Sequence, residues 1–118
     1  MPQKLLPDEL KTLLETFCRA VLDVPQLKVR QIILYGSYAR GDADAESDID
    51  IMILSDVPRE EISAVDSVLS DITSTLDDWQ YRVVISPIMQ NYEFFRQWQE
   101  HSPFYRNVTH EGVSLYAA

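Results

Sequence analysis

The chain has 118 residues, 46% of them hydrophobic and 25% charged, and a net charge of −9 at pH 7. That length can bury a core within one domain, residues 1–118, without help from disulfides or a structural metal. The acidic balance excludes nucleic acid as a partner held by charge, which needs clustered Lys and Arg, and no apolar run is long enough to span a membrane.

Met1-Pro2-Gln3-Lys4 leads into a charged amphipathic segment rather than an apolar stretch, so no secretory signal is expected. Leu6, Leu10, Leu13, Leu14, Phe17 and Val21 recur at three- and four-residue spacing, which predicts a helix over residues 7–23. Pro7 suits its first turn, Asp8 and Glu9 favour its positive end, and Pro25 follows its close. Cys18 is the only cysteine and falls on an apolar helical position, so it reads as a core thiol. A reducing cytoplasm is the natural compartment for such a chain.

Residues 28–35 read as a strand, ended by Gly36-Ser37. Tyr38-Ala39-Arg40 fits a single helical turn before Gly41, and residues 42–47 form an exposed acidic loop. The second strand covers residues 48–54, with Ile49, Ile51 and Ile53 on one face and Asp48, Asp50 and Met52 on the other. Pro58 and Glu60-Glu61 open a second helix whose stripe is Ile62, Val65, Val68, Leu69, Ile72 and Leu76. A third strand is predicted over residues 81–86, closed by Pro87. Asn91 is the expected cap of a helix containing Tyr92, Phe95 and Trp98. A short helical turn is expected at residues 102–108, and Gly112 admits a small strand over residues 113–116. The order, α-β-β-α-β-α plus a terminal strand, predicts an α+β sheet with helices on one face and a cleft on the other. Two consecutive strands around the Gly-Ser loop exclude a Rossmann βαβ unit.

Asp48 and Asp50 stand two apart on a strand, so their side chains leave the same face, about 6–7 Å apart at the Cα atoms. Two parallel carboxylates suit Mg²⁺, which takes hard oxygen ligands and keeps places for water and substrate phosphate. Gly36 lets backbone approach a phosphate closely, while the amides after it and the Ser37 hydroxyl can donate to phosphate oxygens. Arg40 could face a triphosphate or pin the loop through Asp42 or Asp44. Taken singly, Gly-Ser is an ordinary turn, Asp48 an ordinary cap and Asp50 a solvated strand residue. Their joint pattern is far more specific: strand, Gly-Ser, Arg-Gly, acidic loop, Ser-Asp-x-Asp, strand.

Gly36-Ser37, residues 38–47 and Asp48-Ile49-Asp50 resemble the signature of the nucleotidyltransferase superfamily related to DNA polymerase beta. Gly36-Ser37-Tyr38-Ala39-Arg40-Gly41 followed by Ser47-Asp48-Ile49-Asp50 is similar to the minimal nucleotidyltransferases, as are the chain length and the tail Ser102-Pro103-Phe104-Tyr105-Arg106-Asn107-Val108 with Glu111-Gly112. The resemblance implies a nucleotidyltransferase-like mixed sheet. It implies ATP as the nucleoside triphosphate, held by Gly36, Ser37, Arg40 and Ser47, and two Mg²⁺ ions on Asp48 and Asp50, the catalytic pair. It further implies an antitoxin role beside a HEPN toxin, a ribonuclease that the antitoxin either masks or adenylylates on a tyrosine.

The superfamily's third carboxylate, on the next core strand, has no counterpart in Tyr81-Arg82-Val83-Val84-Ile85-Ser86. Arg82 or Val84 takes the expected place, and Asp77 and Asp78 lie just upstream. His101 and His110 lack zinc-type spacing and read as surface residues. The aromatics Tyr92, Phe94, Phe95, Trp98, Phe104 and Tyr105 read as packing, with part of the group available as a docking patch. Three functions therefore stand: a Mg²⁺-dependent enzyme moving AMP from ATP to a protein hydroxyl, a non-catalytic antitoxin acting by contact, and a nucleotide-sensing domain.

Overall fold

A computed structural model of the chain describes residues 6–76 and 83–118. Helix α1 spans Pro7–Leu22, with Pro7 in its first turn, where no intrahelical N–H bond is lost. The Glu9 carboxylate accepts from the Leu6 amide at 2.9 Å and secures that end. A 3-10 turn, Pro25–Leu27, leads into β1, Val29–Tyr35. The single turn α2, Ser37–Arg40, and the acidic loop connect β1 to β2, Ile49–Ser55. A second 3-10 turn, Arg59–Glu61, opens α3, Ile62–Leu76. Strand β3, Ile85–Asn91, runs directly into α4, Tyr92–Trp98, then α5, Pro103–Glu111, and β4, Val113–Ala117.

The four strands lie in the order β3-β2-β1-β4. β1 is antiparallel to both β2 and β4, whereas β2 and β3 are parallel, with α3 as the crossover between them. On one face Ile49, Ile51 and Ile53 are fully buried in a core with Leu13, Phe17 and Val21 of α1 and Leu69 of α3. The alternate residues of β2, Met52 and Leu54, join Ile33, Tyr35, Phe95, Tyr105 and Val108 on the other face. The expected α+β class and mixed sheet hold. The expected placement of helices on one face alone does not hold: the aromatic and apolar residues of α4 and α5 pack on Met52 and Leu54 and cover part of the second face, where Asp48 remains exposed and Asp50 half-buried.

Two boundaries differ from expectation. The third strand, expected over residues 81–86, begins only at Ile85, leaving Val83 and Val84 outside it, and runs on through Pro87, which lies opposite Ile51. β3 is a sheet edge, and proline is tolerated there because an edge strand can turn its missing donor outward. The tail segment is a nine-residue helix rather than a turn. Ser102 Oγ accepts from the Tyr105 amide at 3.3 Å, Pro103 occupies the first turn, and Tyr105 and Val108 are buried, so tertiary packing sustains the extra turns. Asn91 caps α4 as expected, its Oδ1 accepting from the Phe94 amide at 2.9 Å.

Candidate active site

The sheet brings the Gly-Ser bend and the acidic pair together because β1 and β2 are antiparallel neighbours. Tyr35, the last residue of β1, lies opposite Asp50, so the bend beginning at Gly36 overlies the start of β2. Gly36 has φ +78 and ψ −158, a region that is essentially glycine-only. A Cβ added there would collide with Asp50 Oδ2 and stand 3.1 Å from its Cγ. The Asp50 carboxylate therefore rests against the backbone of the bend, filling the space a side chain would take.

Gly36 O accepts from the amides of Ala39 and Arg40, each at 3.0 Å, and Ser37 O accepts from Gly41 and Asp42 at 3.0 and 3.1 Å. These bonds curl the loop and leave the Ser37 amide and hydroxyl with no partner among the described residues. Both are donors suited to an anion. Arg40 donates from Nε to Asp42 Oδ2 at 3.3 Å and from Nη1 to both oxygens of Glu111, at 3.2 and 3.3 Å. The hydrogen bonds to Asp42 and Glu111 hold its guanidinium above its ordinary pKa, well inside the charged range. Ser47 does not reach toward the bend: its hydroxyl accepts from the Asp44 amide at 2.9 Å and donates to Asp44 Oδ1 at 3.2 Å, closing the acidic loop.

Burial pushes the Asp50 carboxyl above its ordinary value, and the negative charges of Asp48 and Glu111 push the same way, against Arg40. A carboxylate strained in this sense is relieved by a cation. The expected strand over residues 48–54 begins one residue later, at Ile49, so Asp48 stands just before β2 and Asp50 within it; this donor set fits a hard divalent ion that takes its remaining ligands from water and phosphate. Among the described residues no group of three or more His, Cys, Asp or Glu gathers that could hold a metal ion, here or elsewhere, so an ion on this pair would depend on water and phosphate for its other ligands. Beside the pair, Tyr35 is buried, and its phenol is pushed up to about 12 by burial and by the charge of Asp50.

On the far side of β2 the parallel register puts Ser86 beside Asp50. The Ile49 amide donates to Val84 O at 2.9 Å, which places Val84 alongside Asp48. Neither is a carboxylate. The other candidates for that role or that place, Asp77, Asp78 and Arg82, lie outside the described residues. Glu111 reaches the bend, its carboxylate accepting from the Gly36 amide and Arg40, and sequence reasoning gave it no place in the site. Its signal was present only as the Glu111-Gly112 pair of the tail, whose proximity to Gly36 depends on β4 pairing with β1.

Cys18, expected as a core thiol, is instead half-buried at the edge of the core, its thiol pushed up to about 11 by burial. It lines a groove of about 720 Å³ between α1 and β4 that contains none of Gly36, Ser37, Asp48 or Asp50. Among the aromatics, Phe95 and Tyr105 are core, whereas Trp98 and Phe104 are exposed.

The nucleotidyltransferase domain model matches residues 10–108. The chain belongs to the nucleotidyltransferase family. Its likeness to the minimal members of that family agrees with two curated relatives from Methanocaldococcus jannaschii. "Putative protein adenylyltransferase MJ0604" is 40% identical over 103 residues, covering 87% of this chain and 94% of the relative. "Putative protein adenylyltransferase MJ0141" is 32% identical over 83 residues, covering 69% and 79%. A chain in the "Crystal structure of the toxin-antitoxin with AMP-PNP" shares the fold, with a TM-score of 0.58 at 20% identity over 89% of this chain and 73% of that one. For this nucleotidyltransferase no described helix is long and apolar enough to cross a membrane.

Proposed function

We propose that this nucleotidyltransferase moves AMP from ATP to a hydroxyl of a protein partner, a tyrosine of a HEPN toxin, and so acts as an antitoxin. The observation that carries the reading is the Asp50 carboxylate lying directly on the glycine bend whose serine donors are unengaged. Phosphate donors and carboxylates then meet at one point, which is what transfer of a phosphate-linked group requires. The names of the two archaeal relatives support adenylyl transfer to protein, and the description of the structural neighbour supports a toxin partner and an ATP-like ligand.

In the proposed reaction the acceptor hydroxyl oxygen bonds to the α-phosphorus of ATP as the bond from that phosphorus to the β-phosphate bridging oxygen breaks. Pyrophosphate leaves and the hydroxyl proton passes to water. Gly36, the Ser37 amide and hydroxyl, and Arg40 bind and orient the triphosphate. Asp48 and Asp50 hold Mg²⁺, which when bound neutralises charge on the phosphates and on the reacting oxygens. Ser47 serves the site indirectly, by closing the loop that delivers Asp48.

A second reading is favoured by Val84, just before β3, and Ser86 within it, the non-acidic neighbours of the pair: neutralisation of the toxin by contact, with nucleotide bound but not transferred. Labelled ATP, Mg²⁺ and the product of the neighbouring reading frame separate the two. Label on the partner that vanishes in Asp48→Asn supports transfer. A complex that forms unlabelled and survives both Asp48→Asn and Asp50→Asn leaves contact alone.

A further inference from the structure

We propose that Glu111 is the positioning residue of the nucleotide loop. It is a carboxylate from the C-terminal end of α5 that fixes the bend and aims Arg40 at the triphosphate. The inference rests on the proposed nucleotide site but assigns a residue outside the Gly-Ser and Asp-x-Asp segments.

Glu111 Oε1 accepts from the Gly36 amide at 3.0 Å, and the same carboxylate holds Arg40 Nη1. One side chain thus grips both ends of the four-residue turn that carries Ser37. The guanidinium has five N–H donors along its edges. Asp42 takes Nε and Glu111 takes Nη1, which leaves Nη2 without a partner among the described residues. A guanidinium held on two edges presents its third in a set direction, and planar forks of this kind suit phosphate.

Glu111 is itself fixed by the fold. The Gly112 amide donates to Val108 O at 2.9 Å, and a Cβ at Gly112 would run into that same oxygen and stand 2.6 Å from Ile33 Cγ2. The chain therefore turns tightly from α5 into β4, whose Val113 lies opposite Leu34. That register carries Glu111 alongside Gly36. Its negative charge opposes an incoming triphosphate. However, the Glu111 carboxylate is already paired with the Arg40 guanidinium, which offsets its charge, whereas loss of its charge-assisted bond to the buried Gly36 amide frees the whole loop. Positioning outweighs repulsion.

The test is titration of AMP-PNP with Mg²⁺ into the full chain and its Glu111→Gln and Glu111→Ala variants, alongside thermal melts. Glu111→Ala is expected to weaken binding about tenfold or more, with Glu111→Gln between it and the parent, because an amide oxygen still accepts from Gly36 but no longer carries charge toward Arg40. In the transfer assay KM for ATP rises while kcat changes little. Glu111→Ala binding AMP-PNP as tightly as the parent, or more tightly, overturns the proposal. Should the parent itself bind no AMP-PNP, the proposed nucleotide site fails. The latch is then judged without nucleotide, from ¹H–¹⁵N spectra: a displaced Gly36 amide and Arg40 Nε–H in Glu111→Ala uphold it, and unmoved signals overturn it.

Discussion

Strand β2 has two neighbours, and they serve the site unequally. Along β1 the antiparallel register brings a glycine-only bend onto Asp50, with Ser37 donors open and Arg40 and Glu111 locked around them. On the β3 side the neighbours are Val84, just before the strand, and Ser86 within it, and neither is a carboxylate. On the β1 side the donors proposed for phosphate and the carboxylates proposed for metal are all in place, while among the described residues the β3 side supplies no carboxylate to deprotonate an acceptor. Substitutions on the two sides of β2 should therefore affect nucleotide binding and turnover differently.

The largest effect is expected at the shared strand. Asp48→Asn or Asp50→Asn should reduce transfer by about a thousandfold, since several kcal/mol of charge stabilisation depend on the bound cation. Initial rates with labelled ATP measure this, and a loss below tenfold would detach the pair from catalysis. On the β1 side, Gly36→Ala should cost about 1–3 kcal/mol from backbone strain alone, because φ +78 with ψ −158 is closed to alanine. Its Cβ also displaces the Asp50 carboxylate. Urea unfolding reads the first effect and AMP-PNP titration the second, and both should change together.

The β3 side should respond in the opposite direction. Val84→Asp places a third carboxylate beside Asp48 at a half-exposed position, 50% accessible, where charge is tolerated. A competent general base commonly contributes about 10²–10⁴ in rate, so a gain of about tenfold in kcat with unchanged AMP-PNP affinity is a conservative expectation. An unchanged kcat would show that proton removal does not limit turnover and that the asymmetry has no kinetic consequence.

The smallest effect concerns stability. Folding raises the Asp50 pKa above 3.8, so its contribution to stability is fully present below that value and is lost as pH rises through the raised folded value. At neutral pH in EDTA, Asp50→Asn should melt higher than the parent, by about 2 °C given the solvent screening of a half-exposed group. The gap should close as pH falls through the folded pKa of Asp50, and Mg²⁺ should raise the melting temperature of the parent only.

Periodicity located α1, β1, β2 and α3 to within a residue or two, since each has an apolar repeat that matches its geometry. It misplaced β3 because a proline ordinarily ends a strand, and only the position of β3 at the sheet edge lifts that rule. It shortened α5 because Tyr105 and Val108 are sustained by packing against Ile33 and Met52, which no local pattern reveals. Ser47 lay within the signature yet pairs with Asp44, because neighbouring sequence does not fix where a hydroxyl points.

By itself the sequence determined the family, the strand β2 at whose head the two carboxylates stand, and the bend that can approach phosphate, because alternation and glycine act locally. Tertiary structure alone decided that Asp50 touches that bend, that Ser86 is the residue set beside Asp50, and that Glu111 closes the loop from 75 residues away. Those outcomes depend on which strands pair and in what register, and register is set by burial across the whole sheet rather than by any one segment.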